Sequence, residues 1–307
     1  MTVLDNDYYS IMELRKLLDN KDVSARELVD DTFRKVRETD PKLNSFVLMT
    51  EELALRQATE ADERLASTGP VSVLDGIPLA VKDLYDTAGI TTAGGTAAFK
   101  DRIPDEDSVV INLLQQAGMI VVGKTNTHEL AMGMTTNNPH YGPTRNPWNL
   151  TRVPGGSSGG SGAAVAAGQV AAALGTDTGG SVRNPAAFCG ITGHKPTFGL
   201  VSTKGIIPLS KTLDHAGPMT RSAEECALML EWMLEPSKRV SFVDQLEDSI
   251  AGLRLAIIPS LLEGCQAGVL DSFENSLSVF RELGVEITEL EPMPDYINMR
   301  GKLSPIA

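Results

Sequence analysis

Three side chains in this chain could do acyl-transfer chemistry together. Ser157 and Ser181 sit in glycine-rich turns, GGSSGGS at 155–161 and TDTGGSVR at 176–183, and Lys82 ends an apolar run far upstream. Glycine at this density lets backbone N–H groups converge on one point. A hydroxyl beside such donors is what acyl transfer needs: a nucleophile next to a site for the developing oxyanion.

A serine nucleophile also needs a base. The four histidines, His128, His140, His194 and His215, share no helical spacing, and His128-Glu129 continues Leu-Ala-Met instead of completing H-E-x-x-H. No catalytic metal is expected from them. A lysine can serve if burial and a positive field lower its pKa. Ile77 to Val81 reads as a short buried strand that delivers Lys82 and Asp83 to its C-terminal end, where α/β sheets keep their sites. With two serines, one hydroxyl can bridge the base and the nucleophile.

Two motifs point elsewhere. Gly118 to Thr125 matches the P-loop pattern, but its four intervening residues, Met-Ile-Val-Val, favour a strand, and a phosphate cradle cannot form along an extended buried segment. No nucleotide is expected there. Gly155 to Gly159 matches G-x-S-x-G, yet residues 149–154 make no strand to feed a nucleophile elbow. Asp177 and His194 follow in the right order but too close together for that fold.

The elements that must position these groups can be traced along the chain. Ser10-Ile-Met-Glu13 and Ser24-Ala-Arg-Glu27 both fit the capping box and open two helices, and a third covers Glu51 to Ala66. After the strand at 77–81 come a helix from Ser108 to Ala117 and a strand from Met119 to Val122. Residues 134–154 form a long loop of the kind that walls a site. Around the two serine turns the order is turn, helix near 163–167, strand at Val170–Leu174, turn, then a short helix at Asn184–Cys189. Beyond them, a capped helix runs from about Thr220 to Leu234. Strands at Leu253–Pro259 and Val285–Leu290 flank a helix at Leu270–Leu283. No composition shift marks a domain boundary.

The chain has 307 residues, 42% of them hydrophobic, enough to bury a sizeable core. A net charge of −13 and a pI of about 4.8 argue against a nucleic-acid or membrane surface. The acidic, polar N-terminus is no signal peptide. Cys189, Cys226 and Cys265 form no zinc or redox motif, so reduced thiols in a cytoplasmic protein are expected.

The residues resemble the amidase signature family, the Ser-cisSer-Lys hydrolases. The likeness rests on Pro78-Leu-Ala-Val-Lys-Asp83, Gly123-Lys-Thr-Asn126, Arg145-Asn-Pro-Trp148, Pro154 to Ser161, Gly175 to Arg183 and Ala187 to Pro196. It implies Ser181 as nucleophile, Ser157 as the bridging serine after a cis bond at Gly156–Ser157, and Lys82 as general base. It places the oxyanion hole on the N–H groups of Thr178, Gly179, Gly180 and Ser181, and the substrate-binding acyl pocket at Met132, Gly133 and Met134. Ser158 and Ser161 are read as capping or hydrogen-bonding residues, and Asp177 and Arg183 as braces of the turn.

The implied reaction is hydrolysis of a small-molecule amide without cofactor or metal. The alternatives are the glutaminase component of a tRNA-dependent amidotransferase and an inactive truncated fragment, since family members are longer. The expected fold is α/β, a mixed central β-sheet with helices on both faces, in one domain over 1–307 whose C-terminal part is missing. Val285, Ile287 and Leu290 of the last strand are expected to lie bare. The expected partners are the amide and either a second copy or a complementing chain, with no nucleic acid bound directly and no membrane.

Overall fold

The computed structural model describes residues 4, 8–246 and 248–291. By contact the chain divides into two compact units, Met1–Val243 and Asp244–Ala307, although no change of composition marks the division.

In the first unit, α1 (Ile11–Asp19) and α2 (Ala25–Leu43) open on complete capping boxes. Ser10 and Ser24 each accept from the N–H three residues on, and Glu13 and Glu27 reach back to the serine N–H groups. After β1 (Phe46–Met49) and α3 (Glu51–Ser67), the chain enters β2 (Pro78–Lys82), α4 (Val109–Gln116) and β3 (Ile120–Thr125). The long loop holds a small hairpin, β4 (Asn137–Asn138) with β5 (Gly142–Pro143). Then follow α5 (Gly159–Ala166), β6 (Ala172–Asp177), α6 (Arg183–Cys189), β7 (Thr192–Gly193), β8 (His215–Thr220) and α7 (Ala223–Met233).

Six strands form the central mixed sheet in the order β1-β3-β2-β6-β8-β7. β3, β2 and β6 run parallel; β1 and β8 flank them antiparallel. Every residue of β2, β3 and β6 is buried, as parallel strands covered on both faces must be. Helix α5 packs across β2, β3, β6 and β8, and α2 and α3 pack on β3. The approach of α5 depends on its small residues: a Cβ on Gly160 would lie 2.5 Å from the backbone N and O of Asn126 and the O of Ser45. Because β2, β3 and β6 are parallel, Lys82, Thr125 and Asp177 all arrive at C-terminal strand ends on the same edge.

Three differences from the sequence reading matter. Strand β6 starts and ends later than expected and carries Thr176 and Asp177, because its ladder with β8 extends to Asp177 opposite His215. β8 itself has no counterpart in that reading: Gly217 and Pro218 break the sequence signal of a central strand. β1 has none either. The P-loop match is a strand, as its apolar residues favour. Lys124 is wholly buried and donates to Tyr85 O, Thr87 Oγ1 and Thr92 Oγ1.

The second unit holds β9 (Arg254–Ile257), α8 (Ala267–Glu282) and β10 (Glu286–Glu289), with β9 and β10 paired in parallel. Val285 and Leu290 flank β10 instead of belonging to it. Leu290 is exposed, Ile287 partly so, and Val285 is buried rather than bare. No described helix is long and apolar enough to cross a membrane. Cys189 and Cys226 are buried free thiols, and Cys265 is an exposed one.

Candidate active site

Lys82 is completely buried at the end of β2. Its Nζ lies 2.7 Å from Ser157 Oγ, 2.8 Å from Ser158 Oγ and 2.8 Å from Thr176 Oγ1. Burial pushes its pKa down to about 7, against the opposing pull of Asp177 and Asp214. A large share of this lysine is therefore the neutral amine near neutral pH.

The hydroxyls around Nζ are not equivalent. Ser158 donates its O–H to Thr176 O at 3.2 Å and accepts from Thr176 N at 3.2 Å, so toward Lys82 it can only accept. Ser157 Oγ has no other hydrogen-bond partner among the described residues. A neutral lysine donates two N–H bonds and keeps one lone pair, so with Ser158 only accepting, Nζ can take a proton from Ser157 or from Thr176, whose Oγ1 likewise has no other partner among the described residues.

Ser157 is held by its backbone. The Gly156–Ser157 peptide is cis. Ser157 O accepts from His128 N at 3.0 Å and from Thr127 Oγ1 at 3.0 Å. The buried Thr136 donates to Gly155 O at 2.8 Å and accepts from Gly159 N at 3.0 Å. A Cβ on Gly156 would lie 2.7 Å from Thr135 N, so only glycine lets the 134–136 backbone pack there.

Ser181 lies in the turn after β6. Asp177 braces this turn from inside: Oδ1 accepts from Gly180 N at 2.7 Å and Arg183 Nη2 at 2.9 Å, and Oδ2 accepts from Arg183 Nε at 2.9 Å and Val182 N at 3.2 Å. Burial pushes the Asp177 pKa up, but the Arg183 hydrogen bonds and charge outweigh it and hold the carboxyl below its ordinary range. Gly180, at φ +132, takes a backbone conformation that other residues rarely adopt.

Of the four N–H groups expected to form the oxyanion hole, Gly180 N is engaged by Asp177. A carboxylate already holds that N–H, whereas among the described residues nothing accepts from the N–H groups of Thr178, Gly179 or Ser181. The turn runs beside the other serines, with Ser158 N donating to Ser181 O at 3.3 Å. No hydrogen bond among the described residues joins Ser157 Oγ to Ser181 Oγ.

The Met132-Gly133-Met134 segment reaches the Gly156–Ser157 turn by its backbone, since a Cβ on Gly156 would lie 2.8 Å from Met134 C. Both methionine side chains are exposed, and neither lines the cavity beside the Thr178 turn. The cavity there, about 450 Å³, is lined instead by Ala131, Thr176, Thr178, Ile207, Leu209 and Asp214 among others. Its 202–215 wall gives no sequence signal, because the stretch is polar, rich in turns and without periodicity. Asp177 and His194 share no hydrogen bond, so the elbow reading has no triad. Among the described residues no group of His, Cys, Asp and Glu side chains could hold a metal ion.

The model of the Amidase family matches residues 27–299. The chain is 39% identical over 298 residues to the A-subunit of the glutamyl-tRNA(Gln) amidotransferase of Thermoanaerobacter pseudethanolicus, covering 94% of this chain and 61% of that one. It thus spans about three-fifths of the length of the curated relatives it matches. The crystal structure of the corresponding amidotransferase A-subunit of Thermotoga maritima superposes with a TM-score of 0.84 at 31% identity, over 100% of this chain and 66% of that one. The peptide amidase of Stenotrophomonas maltophilia gives 0.87 at 29% identity, over 95% and 63%.

Proposed function

Because this chain belongs to the Amidase family, we propose that it hydrolyses a carboxamide C–N bond through an acyl-enzyme on Ser181. One observation carries the reading: a fully buried lysine with a pKa lowered to about 7 lies 2.7 Å from a serine hydroxyl that has no other partner among the described residues.

Neutral Lys82 takes the Ser157 proton as Ser157 takes that of Ser181. A rotation of the Ser181 side chain toward Ser157 would close this relay. Ser181 Oγ then attacks the amide carbon, and the carbonyl oxygen becomes an oxyanion facing the N–H groups of Thr178, Gly179 and Ser181. Collapse breaks the C–N bond, and the relay returns its proton to the departing ammonia or amine. Water, deprotonated by the same relay, releases the acid and restores Ser181. No residue in this scheme calls for a cofactor.

A second reading is favoured by the 39% identity to an amidotransferase A-subunit: the same chemistry acting on glutamine within an assembly of separate chains. A complementing chain fits that reading better than a second copy does. The three free thiols fit a cytoplasmic setting.

The test is ammonia release by the purified chain from a panel of simple amides and glutamine, with Lys82→Ala as control. Release that disappears in the control supports the proposal. Release that survives Lys82→Ala would refute it. Release only after a co-purified partner is added favours the second reading.

A further inference from the structure

We infer that Asp214 is a positioning residue that holds the oxyanion turn in register with the wall of the neighbouring cavity. The inference rests on the reading of Thr178 to Ser181 as the turn that receives the oxyanion. Thr178 Oγ1 donates to Asp214 Oδ1 at 2.5 Å. The other oxygen, Oδ2, accepts from Leu209 N and from Ser210 N, each at 2.9 Å. One carboxylate thus ties the nucleophile turn to the loop at 209–210. Charge-assisted bonds of this kind are shorter and stronger than neutral ones.

Asp214 completes a pair of braces. Asp177 grips the turn on both sides of Ser181, through Gly180 N, Val182 N and Arg183, and Asp214 grips its start through the Thr178 side chain. The bracing is local, since His215, next in the chain, pairs across the sheet with Asp177, and its Nδ1 donates to Asp177 O at 3.1 Å. Leu209, Asp214 and Thr178 all line the 450 Å³ cavity. A group filling that cavity therefore presses on the loop whose amides hold Asp214, and through it on the Thr178 turn. Preorganised donors lose effect steeply when they shift, so this contact governs reaction rate more than affinity.

The experiment measures inactivation by a small alkyl fluorophosphonate, whose phosphoryl oxygen stands in for the carbonyl oxygen. The proteins are wild type, Asp214→Ala, Thr178→Val, Thr178→Ser and the Asp214→Ala/Thr178→Val double variant. The maximal inactivation rate is expected to fall about tenfold in each of the first two variants while the half-saturating concentration holds. The double variant falls no further than either single one, and Thr178→Ser, which keeps the hydroxyl, recovers the rate. Additive losses, or a Thr178→Ser as slow as Thr178→Val, overturn the inference. If Asp214→Ala does not fold, the Thr178 pair decides alone. A wild type not labelled at Ser181 overturns the parent reading and this one with it; a labelled wild type with an unaffected Thr178→Val overturns only this one.

Discussion

Lys82 Nζ stands 2.7 Å from Ser157 Oγ, and among the described residues no carboxylate lies within ion-pairing distance of it. Removing that amine should remove the base. Lys82→Ala is expected to lower amide turnover by about a hundred- to ten-thousand-fold, the range of general-base catalysis. A variant retaining a tenth of the wild-type rate at neutral pH would rule the assignment out.

The pH profile follows from the same group. In the proposed relay the neutral amine is the active form, and burial lowers its pKa to about 7. Activity should therefore rise as pH rises, by up to tenfold per unit below about 7, and level off above it. Measurement of kcat/KM on an uncharged amide checks this. A profile flat from pH 5 to 8, or one falling across that range, contradicts it.

A fluorophosphonate is expected to label Ser181. Its turn presents the unengaged N–H groups of Thr178, Gly179 and Ser181, whereas Ser157 is buried against Lys82. Peptide mapping locates the adduct, and an adduct on Ser157 reverses the two roles.

ATP should not bind at Gly118 to Thr125. Lys124 is buried in β3 and already donates to three oxygens of the 85–92 loop. Micromolar binding by calorimetry that is lost in Lys124→Ala would contradict the strand assignment.

Gly160→Ala should destabilise the fold by about 1–3 kcal/mol, since the new methyl group overpacks a close helix-to-strand contact. Its Cβ would lie 2.5 Å from backbone atoms of Asn126 and Ser45, which cannot rotate away as a side chain could. Chemical denaturation reads the change; an unchanged midpoint means that α5 can shift without cost.

The sequence is readable where local chemistry repeats itself. Capping serines locate α1, α2 and α7, and unbroken apolar runs locate β2 and β3. Lys82 and Ser157, 75 positions apart, are paired by motif alone and meet in the folded chain. β8 is hidden because its pairing energy comes from β6, while its own Gly217 and Pro218 resemble a turn. The engagement of Gly180 N and the link from Asp214 to Thr178 are hidden for another reason. Both depend on side-chain oxygens meeting groups brought close only by the finished sheet.

The three thiols give the molecule a built-in reporter of local opening. Burial pushes the thiols of Cys189 and Cys226, both in the first unit, up to about 12 and 11, while Cys265 of the second unit is exposed. The thiolate is the reactive form, so a disulfide reagent reaches Cys265 at once and the other two only when their surroundings breathe. Followed cysteine by cysteine, the slow phases time excursions of the sheet's surroundings that no activity assay registers.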